Sequence, residues 1–131
     1  MPMSDYLESI ILNTVLNSVT YSEPASVYIG LYTVAPTDAG GGTEVSGTGY
    51  ARQTMTSGWT VSGTATRAFN AAPVTFPIAG GSWGTVTSIG IFDAISGGNL
   101  LFWGTLTASK GPINSTDQLA FPLNTLAVTL A

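Results

Sequence analysis

From Pro24 onward the chain is written in short apolar/polar alternations broken every few residues by glycine or proline, a grammar that restricts it to antiparallel β-structure. Val27, Ile29 and Leu31 alternate with Tyr28, Gly30 and Tyr32, which predicts a strand. Weaker strand patterns follow at Tyr50 to Thr56, Trp59 to Val61, Thr66 to Asn70 and Val74 to Phe76, and a clean one at Leu126 to Leu130. The strongest is a hairpin, Thr85 to Ala94 and Asn99 to Thr107, joined by Ile95-Ser96-Gly97-Gly98, whose glycines can take the positive φ of a tight turn. Both faces of that hairpin carry large apolar residues, Ile89 and Ile91 on one side and Phe92 on the other, with Leu100, Leu101, Phe102 and Trp103 divided likewise. It is expected at the centre of the fold, with Phe92, Phe102 and Trp103 buried.

Only the first segment departs from this grammar. Ser4 is placed to cap a helix running to about Asn17, Asp5 and Glu8 put negative charge in its first turn, and Leu7, Ile10, Ile11 and Val15 recur at helical spacing. Leu12 and Leu16 widen the apolar face, so the helix is expected to lie over an open side of a sheet, with contact between copies as the alternative. Ala35 to Gly49, with Pro36, Asp38 and Gly40-Gly41-Gly42, is too long and glycine-rich for a simple turn and is expected to be mobile unless something pins it. Val74-Thr75-Phe76-Pro77-Ile78 and Leu119-Ala120-Phe121-Pro122-Leu123 look alike, and each reads as a strand ended by proline, at equivalent positions in two sheets. The expected fold is mainly β: an antiparallel β-sandwich or squat barrel of about eight short strands with one N-terminal α-helix. It forms a single domain over residues 1–131, with the helix at about 4–17 and the β-domain from about 25.

Chemistry is scarce. The chain has no histidine or cysteine, and Arg52, Arg67 and Lys110 are its only cations against seven acids, for a formal net charge of −4. Acid–base, nucleophilic and metal chemistry near neutral pH draws mostly on the residues missing here, so no catalytic, cofactor-binding or metal-binding residues are assigned and no enzyme is expected. Asp38 and Glu44 are too loose a pair for a calcium loop, and no phosphate loop or dinucleotide fingerprint occurs. Three dispersed cations cannot neutralise a nucleic acid backbone or dock on anionic lipid, and no apolar run is long enough to span a bilayer. The start lacks the charged and apolar regions of a secretion signal, so the product is expected to remain in the cytoplasm where it is made. Trp59, Trp83 and Trp103 are read as packing residues rather than a sugar platform. Arg52 is expected to make a structural contact with a carboxylate, Glu44 or Asp93.

Charged residues make up 8% of the chain against roughly 25% in ordinary soluble domains. Serine, threonine, glycine and asparagine take their place, and a surface so weakly charged associates readily. The segments whose composition most wants a partner are the helix, through Leu7 and Ile11, and the loop with its sequel, through Pro36, Asp38, Glu44, Tyr50 and Arg52; these are the candidate protein-interface residues.

Several segments taken in order resemble a family of small virion proteins of tailed bacteriophages, often labelled tail-fibre-like. They are Ser4 to Glu8, Val27 to Pro36, Thr43 to Arg52, Val74 to Pro77, Ser82 to Thr87, Ile89 to Ala94 and Gly97 to Gly104. The resemblance implies a structural virion component with no catalytic residues, assembled in the bacterial host cytoplasm. A receptor-seeking fibre is usually long, with repeats or heptads, and this chain has neither. The expected role is therefore a capsid decoration or cement protein that bridges major capsid subunits, with a trimer favoured by threefold junctions. A tail fibre, neck or baseplate component, with receptor or glycan binding, is the alternative.

Overall fold

The computed structural model describes residues 1–55, 58–63 and 66–130, and the protein it shows is mainly β with one helix. Helix α1 spans Asp5–Asn17, and the strands are β1 (Tyr28–Val34), β2 (Thr43–Glu44), β3 (Gln53–Thr54), β4 (Trp59–Val61) and β5 (Arg67–Asn70). They continue with β6 (Val74–Thr75), β7 (Gly84–Phe92), β8 (Leu100–Ile113), β9 (Ala120–Phe121) and β10 (Ala127–Thr129). Thr56, the end of one expected strand, lies outside the described residues. All pairings are antiparallel. A five-stranded sheet runs β2-β1-β7-β8 with β3 also on β1, a three-stranded sheet runs β10-β5-β4, and β6 pairs with β9. Among the described residues these sheets do not close into a barrel, so the sandwich-like layering is the one found.

The alternation that marked β1 and β7 is what builds the core. Ile29 and Leu31 stand opposite Ile91 and Ile89 in register, all four are buried, and the face they make packs on Phe76, Phe121, Leu126 and Val128 from the smaller sheets. Between them Gly30 faces Gly90 on the opposite side of the sheet. There the two missing side chains leave a trough. A Cβ on Gly90 would lie 2.9 Å from both Leu100 Cδ1 and Tyr32 Cε2, and the Tyr32 and Phe92 rings stack across it with centroids 6.2 Å apart. Phe92 is buried as expected, but Phe102 and Trp103 are only half-buried, because β8 is the edge strand and its outer side is covered only by the short N-terminal segment, through the Met3 bridge to Phe102 and the Trp103 amide donating to the Pro2 carbonyl.

Ser4 caps α1, its Oγ accepting from the Leu7 amide, and its backbone anchors the helix by donating to the Leu101 carbonyl of β8. The expectation that the helix covers a sheet is not met. Leu7 alone is buried, while Val15 and Leu16 are each 72% exposed, because the helix is tethered at its first turn and its later turns project away. Two other expectations change. The loop 35–49 is held by its own chain: Thr37 and Gly40 exchange backbone hydrogen bonds, β2 pairs with β1, and Val45 enters the core. The two Phe-Pro segments do not occupy separate sheets but pair with each other, Val74 opposite Phe121, with the Phe76 and Phe121 rings edge to face at 6.4 Å.

Candidate functional site

The densest polar cluster is built on Arg52, which the chain just ahead of β3 delivers to the glycine trough. Its Nε and Nη2 donate to Glu44 Oε2 and Oε1, both at 2.8 Å, and its Nη1 donates to the carbonyls of Ala94 and Gly97. The guanidinium carbon lies 3.4 Å from the centroid of the Phe92 ring. Tyr50 completes the cluster: its hydroxyl donates to Glu44 Oε2 at 2.7 Å and accepts from the Leu31 amide at 2.9 Å, and its ring packs on Phe76 and Trp83. Of the two acids expected for Arg52, Glu44 is the partner. Asp93 instead closes the β7–β8 turn by accepting from the backbone and side chain of Asn99, while Gly97 and Gly98 there take φ of 62° and 69°.

Electrostatics make this cluster a clamp rather than a reaction centre. Burial pushes the Tyr50 hydroxyl far above the ordinary tyrosine range, and the Glu44 carboxylate beside it adds to that, so it holds its proton at any physiological pH. Burial works against the Arg52 charge, but the hydrogen bonds and charge of Glu44 outweigh it and hold the guanidinium above its usual value. Neither group changes protonation near neutrality, as a general acid or base must. What the cluster does is tie β2, the chain before β3 and the β7–β8 turn to one point. Among the described residues no three acids gather in a geometry that could hold a metal ion, and no helix is long and apolar enough to cross a membrane.

The candidate interface residues divide accordingly. Leu7, Pro36 and Arg52 are buried within the chain, and Glu44 and Tyr50 are half-buried and bonded to one another. Asp38 and Ile11 remain at the surface; Asp38 Oδ1 accepts from the Trp103 indole at 2.8 Å, which binds the loop to β8. Trp83 is buried with its indole donating to the Thr48 carbonyl, so it is a packing residue, while Trp59 and Trp103 are half-buried. A residue with no sequence signal proves central. Asn70 is fully buried, donates to the carbonyls of Ala72 and Pro122 and accepts from the Leu126 amide, thereby fastening the last segment of the chain to β5. An asparagine ending a strand reads as an ordinary turn residue, and nothing local distinguishes this one.

The surfaces left open are the outer side of α1, a mainly apolar groove between β4, β8 and β10 with Arg67 in its lining, and a seam of about 560 Å³ along Thr105, Leu106 and Thr107 of β8, facing Leu126 and Ala127 and with Lys110 in its lining. No curated protein matches the chain. A family described as podophage GP4 fiber I protein gp80 matches residues 2–129, nearly the whole sequence. With this match over almost its full length, the chain belongs to the podophage GP4 fiber I protein gp80 family and is a structural protein of the tailed-phage particle.

Proposed function

We propose that the protein is a non-enzymatic fibre subunit on the surface of a podophage particle. The observation that carries this reading is the family match from residue 2 to residue 129 under the description of a fibre protein. The match takes in essentially the whole of the given sequence. The lack of repeats and heptads then counts for less than it does for a self-sufficient fibre, since short subunits reach outward by association. Low charge suits such a subunit, because contacts made by packing and by neutral hydroxyl and amide groups vary little with ionic strength, and many weak ones add through multivalency.

The capsid cement role is the second reading, favoured by compactness. A small bound protein that spans a joint between major capsid subunits stabilises the assembled head by its binding free energy. Particles lacking the protein separate the two. For a fibre subunit, depleted particles keep their DNA under heating and osmotic shock but adsorb poorly to the host, and added purified protein restores adsorption. Depleted particles that adsorb normally and lose DNA on shock overturn the fibre reading in favour of cement. Turnover by repurified protein in a broad hydrolase panel would contradict the non-enzymatic part.

A further inference from the structure

Two uncovered apolar surfaces on this molecule differ in shape, one raised and one recessed. The raised one is the second half of α1. After Glu8 the helix carries no charged residue, and Leu12, Val15 and Leu16, with Val19 just beyond its end, are 58%, 72%, 72% and 52% exposed. Residues 12, 15 and 16 are spaced three and four apart, which puts them on one side of successive turns, and Val19 follows the left-handed Ser18 that ends the helix. No basic residue stands in the last turn, so the negative end of the helix dipole has no positive side chain of its own element beside it.

The recessed surface is a groove of about 370 Å³ lined by Val27, Trp59, Val61, Phe102, Val128 and Leu130. It opens because β8 turns its half-buried Phe102 toward the three-stranded sheet without closing against it. Arg67, also lining it, has its guanidinium carbon 5.2 Å from the Phe69 ring centroid and forms no ion pair among the described residues. Among the described residues that line the groove, Arg67 is the only charged one.

We propose that the second half of α1 from one copy docks on this groove of a second copy, Val15, Leu16 and Val19 filling it and Arg67 meeting the carbonyl end of the helix. The charges decide the occupant. Among the described residues the groove offers a cation with no carboxylate partner, and the same chain carries an apolar ridge on a helix with no basic side chain in its last turn. The volume takes a few aliphatic side chains but not a helix, so the helix lies across the mouth with its side chains directed inward. Ridge and groove are different surfaces of one molecule. The contact is therefore heterologous: each copy gives one ridge and receives one, and the series closes into a ring or continues as a filament according to the rotation between copies. This holds whether the particle uses the protein in a fibre or on the head.

Light scattering after size exclusion on the full-length protein tests it. Wild type is expected to assemble, while Leu16→Asp, which blocks the ridge, and Val61→Asp, which blocks the groove at a residue 61% exposed, are each expected to be monomeric with unchanged circular dichroism. Mixing the two variants is the decisive step, because each retains the surface the other has lost; a one-to-one heterodimer that grows no further is expected. Arg67→Glu is expected to weaken wild-type assembly by about fivefold, from the loss of the cation at the helix end. A monomeric wild type at its highest soluble concentration overturns the proposal. So does assembly that survives Val61→Asp but not Leu16→Asp, since the helices would then be packing on each other, and so does a mixture that stays monomeric. If either aspartate variant fails to fold, Leu16→Ser and Val61→Thr are mixed and judged in the same way.

Discussion

Among single residues, Arg52 and its acid have the most concentrated effect on the fold. Breaking a buried ion pair leaves a charge without compensation, so Glu44→Gln is expected to destabilise the protein by about 3 kcal/mol in a denaturant melt, near the lower end for such pairs because Glu44 retains some exposure. Tyr50 makes the alkaline limb of stability testable. Its folded pKa lies above the ordinary value of 10.0, so the neutral form is the one the fold favours. The stability it contributes is complete below pH 10 and falls as pH rises beyond it, because the unfolded chain then loses a proton that the folded chain retains. Melts between pH 9 and about 11.5 should show a decline that is shallower in Tyr50→Phe. A remainder from Tyr32, also raised by burial, should persist. The sequence identified Arg52 and narrowed its partner to two acids, since so few charges exist to pair. It held no sign of Asn70, whose bonds to Pro122 and Leu126 reach far along the chain.

Elements were legible where their cause is local. The α1 cap, the start of β1 and the β7–β8 turn each follow from a few adjacent residues, and each is where the periodicity puts it. What failed was much of what depends on which elements meet beyond the β7–β8 hairpin. The alternation in β8 is sound, but its position at the sheet edge is set by the connections of the whole fold, and that leaves Phe102 half-buried. The two Phe-Pro segments read correctly as strand ends, yet their mutual pairing is a long-range fact. The two phenylalanines now separate by context. Phe76→Ala, at a fully buried core position, is expected to cost about 3–5 kcal/mol, while Phe102→Ala beside the open groove should cost about half that. Equal losses in parallel melts would mean that the groove is closed in solution. Gly90→Ala tests the trough: its new methyl meets three side chains at 2.9 to 3.0 Å, so a loss of about 1–3 kcal/mol from overpacking is expected.

For the whole molecule the scarcity of charge has a measurable consequence. One ion pair, largely sheltered from water, is the salt bridge among the described residues, so screening has little to act on. The melting temperature should move by no more than about 2–4 °C, roughly 1 kcal/mol for a domain of this size, between low and high sodium chloride; a larger rise would reveal repulsion among the seven acids. The order in which the core is assembled has a different consequence. Leu119, Phe121, Leu126 and Val128 all belong to the central cluster, β9 and β10 complete the two smaller sheets, and Asn70 waits for the Leu126 amide. Without β9 and β10 the inner face of the five-stranded sheet lacks the cover of Leu119, Phe121, Leu126 and Val128. A chain ended before β9 is therefore expected to be cut faster than the full chain in limited proteolysis.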